Sequence, residues 1–151
     1  MAISGRSDYT SHMRRLIRYW LPVIIWSALI LSTSTDLFSS SRSGSIIATL
    51  FGGVLSPSQI EIFNVVFRKL AHLTGYGILG ALGFRAARAE QRGFTIRWAI
   101  TGVAIAIVIA SIDEWHQTFV PSRGGSAQDV LLDACGATIA QLFASARNAR
   151  R

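Results

Sequence analysis

The sequence predicts an all-α integral membrane protein: a bundle of about four transmembrane helices with an interfacial or partly re-entrant segment after the first. Three observations carry that prediction. Half of the 151 residues are hydrophobic and only 15% are charged, a membrane-like balance once the apolar residues gather in long runs. Those runs approach the ~20 residues needed to cross a hydrocarbon core about 30 Å thick. The basic residues, which give a formal charge of +7, sit in short patches between the runs. That is the distribution of topology signals rather than of a nucleic-acid surface.

Taken in order, residues 1–13 are polar and read as a disordered cytoplasmic arm, 14–146 as the membrane domain and 147–151 as a cytoplasmic basic tail. Leu16 to Leu31 forms the first span, with Tyr19 and Trp20 suited to the headgroup level and Pro22 tolerated in the early turns. No small-x-small cleavage site follows it, so it reads as a retained helix rather than a removable signal. Ser32 to Ser45 is rich in Ser and Thr, includes Asp36 and Arg42, and reads as an exposed loop. Ile46–Leu55 is too short to cross and is ended by Gly52, Gly53 and Pro57, which makes it the interfacial or re-entrant candidate.

The second span, Gln59–Phe84, is polar in its first half (Glu61, Asn64, Arg68, Lys69, His72) and small and apolar in its second. Gly75, Gly77, Gly80 and Gly83 there predict close helix approach. Arg85, Arg88, Arg92 and Arg97 form a basic loop. Phe94–Ile112 follows as the third span, with Gly102, Ala106 and Ala110 as a small-residue stripe. A loop over Thr118–Gln128, turning at Pro121, Gly124 and Gly125, leads to the last span, Val130–Ala146, with Gly136 and Ala140 at small-xxx-small spacing. Cys135 is the only cysteine; it excludes an intrachain disulfide and a cysteine-based zinc cluster, and reads as a small buried apolar residue.

Eleven basic residues fall in the N-terminal arm, the middle loop and the C-terminal tail, against Arg42 and Arg123 in the opposite loops. This asymmetry predicts both termini in the cytoplasm and the loop after Asp113 outside. Helix rise then converts position into depth. Counted from the inner helix ends, Lys69 lies about 24 Å up, His72 about 20 Å, Asp113 about 22 Å, Asp133 about 20 Å and Asp129 about 26 Å. Three helices thus place polar groups in one layer beneath the outer surface. Lys69, His72 and Tyr76 share one helix face, Asp113, His116 and Gln117 another, and Asp129 and Asp133 a third. Glu114 lies about 100° round from Asp113, so both face inward only at a corner between helices. Arg68, Lys69 and Arg123 nearly balance Asp113, Glu114, Asp129 and Asp133, the condition for holding such a cluster at depth.

The segments FRKLAHLTGYGILG and SIDEWHQTFVPSRGGSAQDVLLDACG resemble the VanZ-like membrane proteins. That pattern places K-x-x-H-x-x-x-Y in one helix, then D-E-x-x-Q, an Arg in the following loop and S-x-x-D opening the last helix. In this chain its residues are Lys69, His72, Tyr76, Asp113, Glu114, Gln117, Arg123, Ser126 and Asp129. The match is strong from Val66 to Gly136 and rests on hydropathy alone for the first helix. Asp133 stands where many relatives carry Asn, which adds a negative charge to the site. The resemblance implies a membrane fold with a polar site, and a role in the cell envelope of the kind associated with low-level resistance to the glycopeptide teicoplanin.

Three functional classes fit the polar layer. One is a binder of an anionic, lipid-linked or glycopeptide-like ligand, with Lys69 and Arg123 as the clamp and Tyr76, Gln117, Ser126, Asp129 and Asp133 around it. Another is an outer-leaflet enzyme using Glu114, Asp113 and His72 for acid–base chemistry. An ion-coupled transporter is the weakest, since the chain shows no inverted repeat and its charges are not at the midplane. A buried network that only pins the helices is the structural alternative. His116 and Trp115 read as surface groups. Membrane lipids are the expected partners, nucleic acid is not, and oligomeric state leaves no signal. A divalent cation on His72, Asp113, Glu114 and Asp129 is chemically possible, but the spacing is not diagnostic, so no metal or other cofactor is assigned.

Overall fold

The computed structural model describes residues 4–33, 40–120 and 124–150, with side chains from His12 in the first stretch and Ser43 in the second. Five helices follow in order: α1 (Ser4–Thr33), α2 (Ser40–Phe51), α3 (Pro57–Arg88), α4 (Ile96–Gln117) and α5 (Ala127–Ala149). No strand occurs among the described residues.

Local chemistry sets the ends of α3. The Ser56 hydroxyl accepts the Gln59 backbone N–H at 3.4 Å, and the Gln59 side chain accepts the Ser56 N–H at 2.9 Å. Pro57, at the first helical position, loses nothing there because its missing N–H would have no helical partner. Arg85 and Arg88 occupy the last turn, cations against the negative end of the helix. Gly52 and Gly53 end α2, as expected, in a turn closed by the Gly52 N–H on the Ala48 carbonyl at 2.8 Å.

Several boundaries differ from expectation; the expected basic loop keeps only Arg92, because α3 runs on through Arg85 and Arg88 and α4 takes in Arg97. α1 begins at Ser4, so the backbone of residues 4–13 is helical where the polar composition suggested an unstructured arm. Once an apolar helix is nucleated, each further residue adds a hydrogen bond at little cost, and a polar end can extend it. The expected Ser32–Ser45 loop is shortened from both sides, because α1 reaches Thr33 and α2 starts at Ser40. Residues 34–39, including Asp36, and residues 121–123, including Pro121 and Arg123, lie outside the described residues.

α3 touches all four other helices. α4 and α5 pack on it and on each other through the small-residue stripes. Ala106, Ala110 and Ala137 are fully buried, and a Cβ placed on Gly102 or Gly136 would run into the backbone carbonyls of Gly80 or Leu73 respectively. Glycine here lets main chains touch, which is how helices gain packing where the hydrophobic effect gives none. Gly80 and Gly83 serve the same seams, whereas a Cβ on Gly75 would meet nothing within 4 Å. Instead the Gly75 carbonyl accepts the Trp26 indole N–H at 2.9 Å, one tie between α1 and α3. At the other end Arg15 pairs with Glu90 at 3.3 Å, and the Arg85 guanidinium lies 5.5 Å from the Tyr19 ring centre.

The outer surface is apolar. Ile24, Ile100, Val108, Leu131, Leu142 and Phe143 are all exposed, a shell suited to lipid and not to water. Residues 12–33, α4 and α5 are each long and apolar enough to cross a membrane, as in a multi-pass membrane protein. Cys135 is exposed on this shell, contrary to its reading as a buried residue. Gly136 and Ala137 take the seam, and in a bilayer a small apolar side chain facing outward carries no penalty.

Candidate functional site

The polar residues converge at the end of the bundle where α3, α4 and the start of α5 meet. On α3, Lys69, His72 and Tyr76 project toward α4 and α5. Tyr76 is 1% exposed, and its hydroxyl donates to Asp113 Oδ2 at 3.3 Å; Gln117 Nε2, one turn further along α4, donates to the same oxygen at 3.2 Å. Tyr76, placed by the sequence among the residues around a ligand, therefore also orients a buried carboxylate. His72 stacks on the Tyr76 ring with centres 6.1 Å apart.

Asp113 and Glu114 are both buried, so the corner arrangement required for adjacent residues to face inward is realised. Asp113 looks to α3, while Glu114 looks to the loop before α5, where its Oε2 accepts the Ser126 N–H at 2.8 Å. That contact depends on close passage of the loop, since a Cβ on Gly125 would collide with the Glu114 carbonyl. The Ser126 hydroxyl caps α5 by accepting the Gln128 N–H at 3.2 Å. It is thus occupied as a cap.

Asp133, a full turn beyond Asp129 on α5, is completely buried. His72 Nδ1 faces it, 3.4 Å from Oδ1 and 3.5 Å from Oδ2. One ligand-capable atom each from His72, Glu114 and Asp133 lies within 4.8 Å of the other two. Asp113 Oδ1 and Asp133 Oδ1 are buried without a hydrogen-bond partner. By contrast, Lys69 meets Asp129 at 3.3 Å on the rim, with both side chains substantially exposed. Among the described residues the lysine pairs at the rim, while at the buried level the partner of Asp133 is His72. The other expected cation, Arg123, lies outside the described residues.

Two cavities share this wall. The larger, about 490 Å³, lies among α1, α2 and α3 and is mostly apolar, with Trp26, Leu29, Ile30 and Phe67 along it and Arg68, His72, Tyr76 and Asp113 at its polar part. The smaller, about 120 Å³, is polar and is lined by Arg68, Lys69, His72, Glu114, Gln117 and Asp129. Arg68 and His72 line both. Arg68 entered the sequence reading only as a charge, although its i, i+4 relation to His72 puts the two on one face and was a usable signal. Trp26 was read only as part of an apolar run. Asn64, buried and bonded by the Ser43 hydroxyl at 2.7 Å, fastens α2 to α3 beside the larger cavity. His116 and Trp115 are exposed, as expected of surface groups.

Chemically, the site offers a histidine against a buried carboxylate, a second carboxylate oriented by a backbone N–H, and arginine and lysine at the mouth. It can hold an anionic group at the rim and move or share a proton at the floor.

The sequence profile of a family described as VanZ/LLP1 matches residues 18–148. No curated protein and no solved structure matches the chain. The profile match spans most of the sequence, and the chain belongs to this family.

Proposed function

We propose, from membership of the VanZ-like family as premise, that this multi-pass membrane protein holds an amphiphile with an anionic head at the outer face of the bacterial cytoplasmic membrane. In this reading α3 crosses the bilayer together with α1, α4 and α5, and α2 lies in the outer interface. Residues 14–146 form the membrane domain, and both termini are cytoplasmic. The eleven-to-two asymmetry of basic residues supports that orientation.

The observation that carries the ligand class is that Arg68 and His72 line both cavities. A cavity of about 490 Å³ with a mostly apolar wall suits a lipid tail, and the adjoining polar cavity suits its head. Arg68, Lys69 and Arg123 serve as the cationic clamp, with Gln117, Asp129 and Ser126 around it. A lipid-linked envelope precursor has this chemistry, which ties the site to the cell-envelope, teicoplanin-type resistance that the family resemblance implies.

Native mass spectrometry of the protein with a polyprenyl phosphate, against phosphatidylcholine as the neutral-head control, tests this. A saturable complex with the phosphate that weakens at least tenfold in Arg68→Ala is expected. Equal, unsaturable binding of both lipids contradicts the reading. Orientation is tested by placing the only cysteine at residue 124 (Gly124→Cys in a Cys135→Ser background); an impermeant maleimide is expected to label it from outside intact cells.

A second reading, an acid–base enzyme on the same ligand, is favoured by one observation: His72 lies 3.4 Å from Asp133 with Glu114 beside it. Catalysis requires that Glu114→Gln abolish turnover while binding and folding persist. A variant that loses only stability would leave the polar layer as a structural pin.

A further inference from the structure

We infer that His72, Glu114 and Asp133 form a binding site for one first-row divalent cation of the zinc or manganese type. The three residues come from three helices, and their ligand atoms lie within 4.8 Å of one another. An acidic cluster alone would not make a site. The second observation is Asp133 itself: it is fully buried, and its Oδ1 has no hydrogen-bond partner.

The contact of His72 with that carboxylate is a long hydrogen bond whose spacing also suits two ligands of one ion. Nδ1 is 3.4 Å from one oxygen and 3.5 Å from the other, whereas N–H···O bonds centre near 2.9 Å. Two ligand atoms each about 2.1 Å from a tetrahedral ion stand about 3.4 Å apart. The ring therefore stands across from the carboxylate at a separation compatible with a shared ion.

Charge points the same way. Asp113, Glu114 and Asp133 are all buried at this level, and Lys69 is engaged by Asp129 on the exposed rim. Buried carboxylates are held by paired cations or metal ions, and a divalent cation would offset two of these charges at once.

The surroundings are those of a metal site. The Ser126 N–H fixes one oxygen of Glu114 at 2.8 Å, and Tyr76 and Gln117 hold the neighbouring Asp113. Such contacts orient ligands and tune their affinity. The imidazole in the donor set favours zinc or manganese over magnesium or calcium, which take oxygen ligands. Three protein ligands leave a coordination position free. His72 and Glu114 also line the polar cavity, so that position is open to water or to a ligand oxygen. Asp133 supplies the third ligand. The site does not rest on the amphiphile reading, because the ion would bind the lipid-free protein.

The test is metal uptake by the full-length protein in nanodiscs, stripped with chelator and reloaded with zinc alone, measured by elemental analysis and by calorimetric titration. One equivalent per chain is expected, with affinity reduced at least a hundredfold in Asp133→Asn and in His72→Gln and unchanged in Glu90→Gln, at the far end of the bundle beside Arg15. Cobalt loading of the wild type provides a readout that needs no variant: visible ligand-field bands of a four- or five-coordinate ion are expected, displaced by zinc. Lack of stoichiometric uptake by folded wild-type protein overturns the inference. So does uptake equal in wild type and in both ligand variants, or cobalt that shows only the weak spectrum of the hydrated ion. Failure of lipid binding alone leaves these outcomes unchanged.

Discussion

The two sets of partners around α3 are built differently. Against α4 and α5, α3 makes backbone-to-backbone contact, with Gly136 on the Leu73 carbonyl and Gly102 on that of Gly80. Against α1 and α2 it is held by a few directed contacts, such as Trp26 on Gly75 and Ser43 on Asn64, around a cavity of about 490 Å³. The close-packed trio carries the residues whose relative positions matter, namely His72, Tyr76, Asp113, Glu114 and Asp133. The looser pair borders the volume a ligand would enter. A polar site in a membrane protein needs both: helices that cannot shift beneath buried charges, and a neighbour that leaves room.

That contrast can be broken most forcefully at Gly136. Gly136→Val places a branched side chain on the Leu73 backbone, and overpacking of this kind costs about 1–3 kcal/mol or more. A large fall in thermal midpoint in detergent is expected, and an unchanged midpoint would mean that α3 and α5 are not in main-chain contact. Gly75→Ala, where an added Cβ meets nothing within 4 Å, is the matched control and should leave the midpoint nearly unmoved.

The next effect is at Tyr76→Phe. It removes one of the two donors to Asp113 Oδ2 and leaves a buried carboxylate less satisfied, at a cost of about 1–3 kcal/mol. Chemical denaturation should show the loss without a change in helix content. On the looser side, Trp26→Phe keeps an aromatic ring but removes the hydrogen bond to Gly75, for about 0.5–1.5 kcal/mol. Protease sensitivity in α1 should rise while the α3–α4–α5 trio holds. Smallest of all is Lys69→Ala. Its pair with Asp129 is solvent-exposed, and such pairs contribute about 0–1 kcal/mol before screening by salt. Stability should barely change, so any loss of ligand affinity in this variant reports on binding rather than on folding.

Much of the close-packed side was legible from sequence, and the reason is periodicity. Gly102, Ala106 and Ala110 recur every fourth residue, and the polar groups recur on single helix faces, so depth and direction follow from helix rise. Partnering was not legible. Periodicity places His72, Asp129 and Asp133 in one layer but does not say that the imidazole turns to Asp133 and leaves Asp129 to Lys69; that is decided by how the helices rotate against each other. Cys135 was misjudged for a related reason. In water a small apolar residue gains by burial, but in a bilayer both sides of the helix are apolar, so hydropathy cannot tell the seam from the lipid face. The α1–α2 side was the least legible, because the cavity and its tie at Trp26 depend on side-chain volumes and not on spacing.

The central claim is that one amphiphile occupies the apolar cavity with its anionic head at Arg68 and His72. Its most direct test is fluorescence quenching in a protein whose only tryptophan is Trp26, made by Trp20→Phe, Trp98→Phe and Trp115→Phe, using phosphatidic acid with brominated acyl chains. Saturable quenching that is weakened by Arg68→Ala, with little from brominated phosphatidylcholine, is the expected result. Equal and unsaturable quenching by the two lipids would contradict it.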